Sequence, residues 1–179
     1  MRRALRVMVI GLVGAVVAVS SASAQSPYVF LGGGGTFPMG HFKTSDEGKT
    51  GWAVQAGVGY DLSKGAWVEA EGWYGSNKRE GGTLDLLGGL AAVGYSFTPD
   101  KKVSPYVLAG AGIISGKTKP TGGGASDTES KFAYSGAAGI GFNSSESVHF
   151  WLEGRYLGAK DFALIPVSVG VTLTLGKKK

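Results

Sequence analysis

Hydrophobic and polar residues alternate with a period of two along most of the chain after residue 26. The clearest run is LIPVSVGVTLTL at residues 164–175, where the odd positions from Ile165 to Leu175 are apolar and the positions between them are mostly small or polar. Similar runs occupy residues 52–60, 132–142 and 148–156, and weaker runs lie at about 28–37, 66–75, 84–97 and 105–115. Alternation of this kind is typical of strands with two different faces, so the chain is predicted to form eight β-strands.

The connections between these runs differ in length. Residues 38–51, 76–82 and 116–130 form the longer connections, which are the first, third and fifth, and the even-numbered connections are tight turns. With an even number of strands both ends of the barrel chain lie on one side, and long loops on the opposite side are typical of bacterial outer-membrane barrels. The predicted fold is therefore all-β: a closed, eight-stranded, antiparallel, up-and-down barrel.

The two faces of the strands distinguish a membrane barrel from a soluble one, because the two classes alternate with opposite polarity. A soluble barrel needs a well-charged outer face. Here the less apolar face is mainly Gly, Ala, Ser and Thr, and nearly every Lys lies in a connection. Small residues suit the narrow interior of an eight-stranded barrel. We therefore predict a transmembrane barrel with its apolar face towards lipid, and a soluble secreted barrel is the alternative.

Aromatic residues cluster towards the ends of the predicted strands. Membrane barrels carry aromatic girdles at both lipid–water interfaces, so these residues are predicted to form such girdles. The residues are Tyr28, Trp52, Tyr60, Tyr74, Tyr95, Phe97, Tyr106, Phe132, Phe142 and Tyr156.

The N-terminal segment has the composition of a cleaved export signal. Three arginines precede an apolar stretch at residues 7–19, and Ala-Ser-Ala at 22–24 supplies the small residues that signal peptidase accepts. An uncleaved anchor needs about 20 apolar residues, and this stretch is shorter and interrupted by two glycines. Residues 1–24 are therefore predicted to be a signal peptide, and residues 25–179 the barrel domain.

Composition narrows the possible chemistry by exclusion. The chain has 179 residues, 32 of them Gly, and no Cys, which excludes disulfides, a thiol nucleophile and a thiolate metal site. Its net charge of +5 includes the three arginines of the leader, and the remaining cations do not form the clustered basic face that nucleic-acid binding requires. We expect no nucleic-acid partner, no cofactor and no metal site.

Two short patterns resemble those of enzymes, but neither meets the structural requirements for catalysis. AGIISGKT at 111–118 matches a relaxed phosphate-loop pattern, yet such a loop must open a helix, and the Pro and Gly residues that follow cannot. His41, Ser45 and Asp46 share a predicted loop, but these residue types alone do not make an oriented triad. His149 is expected to be a lumen or girdle residue. The sequence therefore predicts no enzyme and no nucleotide partner.

Three segments carry a family resemblance: SPYVFLGGGGTFPMGHF at 26–42, VSPYVLAGAGI at 103–113, and HFWLEGRYLG followed by LIPVSVGVTLTL within 149–175. They resemble the small OmpA-like outer-membrane β-barrel family. The last strand also resembles the outer-membrane assembly signal, which has a polar residue, a glycine and two alternating apolar residues. Ser168, Gly170, Leu173 and Leu175 occupy these positions. The resemblance implies export to the outer membrane of a Gram-negative-type bacterium and insertion by the barrel-assembly machinery.

Five charged residues of the less apolar face are the candidate functional residues of the barrel lumen: Glu69, Glu71, Asp85, Glu153 and Arg155. Unpaired charges removed from water are costly, so we expect an ion-pair and hydrogen-bond network around Arg155. The alternative is a gate or proton-sensitive conduit, although eight strands leave no open channel without rearrangement.

Basic residues also lie in or beside the predicted outer loops, where they are either ordinary solvated loop charges or contacts for lipopolysaccharide phosphates. They are Lys43, Lys49, Lys78, Arg79, Lys117, Lys119, Lys131 and Lys160. The predicted function is that of a non-enzymatic outer-membrane barrel that stabilises the envelope or presents loops to a partner. A narrow porin-like channel and an adhesin are the alternatives.

Overall fold

The computed structural model describes residues 26–39, 49–79, 82–120, 127–160 and 162–175. The predicted signal peptide and the loop residues His41, Ser45 and Asp46 lie outside these ranges. Within them, no helix is long and apolar enough to cross a membrane. The eight strands are β1 (Pro27–Pro38), β2 (Gly51–Ser63), β3 (Ala66–Arg79), β4 (Gly82–Ser96), β5 (Val103–Pro120), β6 (Asp127–Asn143), β7 (Val148–Ala159) and β8 (Phe162–Thr174).

The strands form a closed antiparallel barrel in sequence order, which confirms the predicted fold. β8 pairs with β1 from Tyr28 opposite Thr174 to Pro38 opposite Leu164, so that no strand edge is left open. The connections β2–β3, β4–β5 and β6–β7 lie at the same end as Pro27 and Thr174, and we call this the turn end. The opposite end, with the four remaining connections, is the loop end. Gly65, at φ +88°, allows the β2–β3 connection to reverse within two residues.

β5 and β6 are longer than the sequence pattern predicted. They contain 18 and 17 residues, and their paired ladder reaches Thr118 opposite Asp127. Much of the predicted loop 116–130, and residues 76–79 of the predicted loop 76–82, are therefore strand. The reason is that backbone pairing does not require apolar side chains, and these residues are polar or small on both faces. The β5–β6 hairpin extends beyond the lipid-facing part of the barrel.

Large apolar side chains cover the outer wall. Leu31, Ile113, Phe132 and Val169 are each about 60% exposed or more on the barrel exterior (59%, 61%, 67% and 60%). A soluble protein rarely exposes so continuous an apolar surface, whereas a membrane barrel requires it. This distribution contradicts the soluble-barrel alternative.

Most of the predicted girdle residues are exposed on the outer wall, but Tyr60 is buried, at 8% exposed, and two others point into the barrel. Trp52 packs edge-on against Tyr74 near the loop end, and Tyr95 packs against Phe97 near the turn end. Tyr28 and Tyr106 instead point into the barrel, where each hydroxyl donates a hydrogen bond to a carboxylate. Their assignment to a girdle was wrong because both occupy inward positions of the strand alternation, next to acceptors on other strands.

Glycines on the inner wall make room for aromatic rings. A Cβ atom built on any of these glycines would overlap a ring from another strand, so the ring occupies the space above the glycine. The pairs are Gly59 with Tyr28, Gly94 with Trp67, Gly139 with Tyr106, and Gly32 and Gly170 with Trp151. An eight-stranded barrel has little interior volume. Many of the 32 glycines therefore serve packing rather than flexibility.

Candidate functional site

An apolar cluster fills the loop-end half of the lumen, and we call it the apolar plug. Its side chains come from every strand except β1, and none is more than 4% exposed. The residues are Ala53, Trp73, Leu86, Leu90, Ile114, Ala133, Leu157 and Leu164. Thr36 and Asn77 add a buried hydrogen bond of 2.8 Å near the same end. The lumen is thus packed like a protein core across this half.

A layer of buried charges lies on the turn-end side of the apolar plug. Arg155 on β7 donates from Nε to Glu153 Oε1 at 2.9 Å and from Nη1 to Glu71 Oε1 on β3. The side chains of Arg155, Glu71 and Glu153 are 3%, 0% and 5% exposed. Tyr106 donates its hydroxyl hydrogen to Glu153 Oε2 at 3.0 Å. Glu71 Oε2 has no hydrogen-bond partner among the described residues.

Glu69 extends this layer towards the turn end, on the same inward face of β3. Its Oε2 accepts hydrogen bonds from Tyr28 Oη at 3.0 Å and from Trp67 Nε1 at 3.1 Å. Both donors are neutral, and Glu69 forms no ion pair in the described part of the chain. Four of the five predicted lumen residues are therefore neighbours, and two carboxylates share the single guanidinium.

Asp85 is the exception, and its predicted place in the lumen is wrong. Leu86 and Leu90 are the inward residues of β4, so Asp85 lies on the outward face near the loop end. There it accepts hydrogen bonds from Ser76 Oγ at 2.9 Å and from Lys119 Nζ at 2.5 Å. Apolar residues on both faces of this strand segment obscured its alternation.

The turn-end half of the lumen contains a cavity of about 400 Å³, which we call the turn-end cavity. Glu69, Glu153 and Arg155 lie at its inner end, and Asp61, Lys64 and Asp100 lie near its mouth. Its aromatic lining residues include Tyr28, Trp67, Tyr106 and Trp151. A barrel that is closed at one end and hollow at the other has the shape of a cup.

His149 also lines the turn-end cavity. Its Nδ1 lies 2.8 Å from Asn143 Oδ1, within hydrogen-bond distance. No group of three or more His, Cys, Asp or Glu residues in the described ranges is placed to bind a metal. The geometry of this end is that of a vestibule lined by aromatic rings and by several charged side chains.

The residues of the resembled assembly signal lie on the two faces of β8. Ser168 is buried on the inward face, and Gly170 lies beneath the Trp151 ring on that face. Leu173 and Leu175 are exposed on the outer wall. Lipid contact accounts for the two leucines, and ring packing accounts for Gly170.

Tyr28, Trp67 and Tyr106 are site residues that the sequence reasoning missed. Trp67 is two positions before Glu69, so period-two spacing alone places both on one face. Tyr28 and Tyr106 reach carboxylates 41 and 47 positions away, and this proximity depends on the closed barrel. Only the contact between Trp67 and Glu69 could be predicted from local spacing in the sequence.

Comparison with known proteins agrees with this architecture. The family model described as "Outer membrane protein beta-barrel domain" matches residues 10–172. No curated protein sequence shows a significant match to the chain.

Three solved outer-membrane barrels share this fold. Neisserial surface protein A (NspA) is 15% identical with a TM-score of 0.63, and the alignment covers 86% of this chain and 98% of that one. Ail, the attachment invasion locus protein of Yersinia pestis, is 17% identical with a TM-score of 0.56, covering 84% and 97%. The N-terminal β-barrel domain of Pseudomonas aeruginosa OprF is 17% identical with a TM-score of 0.53, covering 83% and 97%. At these identities the likeness concerns the fold.

Proposed function

This chain belongs to the outer membrane protein β-barrel domain family, and from that premise we propose that it is a non-enzymatic, non-conducting barrel. It stabilises the outer membrane and presents its loop end to anionic partners. The observation that carries this proposal is the apolar plug. A barrel whose lumen is filled across half its length is suited to a scaffold role rather than to transport.

The apolar plug is a barrier to ions for two reasons. Trp73, Leu157 and Leu164 are each no more than 1% exposed, so these side chains have almost no contact with water. Moving an ion through such a layer removes its hydration without supplying polar partners, which is strongly unfavourable. The Glu71–Arg155 pair lies below this barrier. Opening that pair alone does not open the lumen, and this argues against the channel alternative.

We expect the purified barrel to be electrically silent in a planar lipid bilayer. At voltages on the order of 100 mV, across which a unit charge gains only about 2.3 kcal/mol, the apolar plug stays packed and no discrete current steps occur. A porin incorporated under the same conditions serves as the positive control. Reproducible current steps from the unaltered protein at these voltages would support the channel alternative instead.

The surface that we propose for partner binding is a basic patch on the outer wall at the loop end. Lys117 lies opposite Asp85 in the β4–β5 ladder, Lys119 contacts Asp85, and Lys78 lies opposite Thr83 on the neighbouring pair. Two lysines thus flank the Asp85 carboxylate, and the third lies opposite Thr83, two positions away along β4. Directly below them, Leu87 and Ile113 face lipid.

That position favours lipopolysaccharide as the partner. Its phosphates lie at the outer boundary of the lipid, and lysine ammonium groups form charge-assisted hydrogen bonds with phosphate oxygens. Adhesion is the other interaction open to this surface. A structure of Ail is a complex with the heparin analogue sucrose octasulfate, and that complex indicates that a loop-bearing barrel of this fold can bind a polyanion.

Removing two lysines of the basic patch is expected to weaken lipopolysaccharide binding. Each basic residue near an anionic lipid surface contributes several-fold in affinity, so Lys117→Ala/Lys119→Ala is expected to bind about thirtyfold more weakly. The measurement is the rise in thermal unfolding temperature on titration of lipopolysaccharide into the detergent-solubilised protein. Lys101→Ala/Lys102→Ala, with the same charge change at the turn end, is the matched control. Equal behaviour of the two double variants would contradict the assignment.

A further inference from the structure

The turn-end cavity carries an excess of negative charge. Among the described residues that line it, four carboxylates, from Asp61, Glu69, Asp100 and Glu153, stand against the two cations Lys64 and Arg155. Arg155 is already bonded to Glu153 and to Glu71, so its charge is shared between two buried carboxylates. The interior has a low dielectric constant, so this excess negative charge attracts a cation more strongly than it would in water.

Glu69 is the carboxylate best placed to act on a ligand in this cavity. Tyr28 and Trp67 orient it through hydrogen bonds to Oε2, but neither donor carries a charge. Two residues further along the same inward face, Glu71 Oε2 is fully buried without a hydrogen-bond partner among the described residues. The inner end of the cavity therefore combines fixed geometry with uncompensated negative charge.

Aromatic rings form the wall around Glu69. Trp67 and Tyr106 meet edge to face, with ring centroids 5.6 Å apart and planes inclined at 72°. Each ring packs over a glycine of the barrel wall, Gly94 for Trp67 and Gly139 for Tyr106, and both residues line the cavity. Two aromatic rings inclined at a steep angle, with a carboxylate hydrogen-bonded to the indole N–H of one of them, are the kind of wall that holds quaternary ammonium groups.

We propose that the turn-end cavity binds a small organic cation with a quaternary ammonium group. The ammonium sits against Trp67 and Tyr106, and Glu69 supplies the countercharge. A quaternary group needs no hydrogen-bond acceptor, so the existing bonds from Tyr28 and Trp67 to Glu69 stay in place. A volume of about 400 Å³ accommodates a molecule the size of choline. This site is independent of the proposed function at the loop end.

The first test compares choline with its neutral isostere, 3,3-dimethylbutan-1-ol, on the unaltered protein. Trp67 and Trp151 line the cavity, so binding is followed by tryptophan fluorescence in a maltoside detergent that contains no choline group. We expect a saturable change with choline and at least tenfold weaker binding of the isostere, since only choline carries the charge. Equal affinities, or no saturable change with choline, would overturn the proposal.

A pair of charge-matched variants tests the role of Glu69. Glu69→Gln is expected to bind choline at least tenfold more weakly, whereas Glu146→Gln, in the exposed β6–β7 turn outside the cavity, is expected to bind it normally. Folding of each variant is checked by its gel mobility before and after boiling. Unchanged affinity in a folded Glu69→Gln protein would overturn the site. If that variant does not fold, the comparison of choline with its isostere on the unaltered protein still decides.

Discussion

Arg155→Ala is expected to abolish or severely weaken the folded barrel. The substitution leaves the Glu71 and Glu153 side chains, 0% and 5% exposed, without their shared cation. Breaking a buried pair by removing one partner costs about 3–5 kcal/mol, a large fraction of the stability of a small domain. Urea unfolding of the protein refolded into lipid vesicles, followed by tryptophan fluorescence, measures the loss.

Two further variants separate charge compensation from other effects of Arg155. Lys119→Ala removes one side of an ion pair whose lysine side chain is 56% exposed, and we expect no change in its unfolding midpoint. Arg155→Met combined with Glu71→Gln and Glu153→Gln removes all three charges and is expected to recover most of the stability. A midpoint for Arg155→Ala equal to that of the unaltered protein would contradict the buried network.

Gly170→Val is expected to prevent closure of the barrel. A Cβ atom at this position would overlap the Trp151 ring and approach the Leu31 carbonyl oxygen to 2.5 Å. Leu31 belongs to β1, the strand that closes the barrel against β8, so the backbone cannot move aside without loss of pairing. Overpacking of this kind costs about 1–3 kcal/mol, and more where backbone is displaced. The same urea unfolding assay measures it.

Gly154→Val provides the matched control for that substitution. Gly154 lies on the outer wall of β7, and a Cβ atom there has nothing within 4 Å. We expect its unfolding midpoint to be unchanged. Because the protein is refolded in vitro, recognition of Gly170 by the assembly machinery does not enter the comparison. Equal loss in both variants would mean that glycine flexibility, rather than space for the ring, is what the barrel needs.

The sequence predicted the barrel where one strand face is apolar and the other is not. In β7 and β8 the alternation is regular, and the inward placement of Glu153 and Arg155 follows directly from it. Arg155 and Glu71 are 84 positions apart, so the alternation places both residues inside but does not establish their contact. That contact depends on how the closed barrel brings β3 and β7 to face each other.

The sequence failed where both faces have the same character. In β4, Leu86 lies in the apolar plug and the adjacent Leu87 lies on the lipid-facing wall. Both faces are apolar here, so the alternation of apolar and polar residues is lost. That ambiguity concealed the apolar plug and misplaced Asp85. In the β5–β6 hairpin both faces are polar, so the pattern predicts a loop where the structure has strand. In each case the pairing and register of the strands determine which face a side chain occupies and where a strand ends, and a single sequence does not reveal them.

The most direct test of a closed membrane-spanning barrel is gel mobility of the outer-membrane fraction in SDS, with boiled and unboiled samples side by side. A closed β-barrel resists SDS until it is heated, because all its strands are paired and none presents an open edge. We predict that the unboiled protein is found in that fraction and migrates at a position different from that of the boiled protein. Identical mobility, with the protein recovered in the soluble periplasmic fraction, would contradict the account.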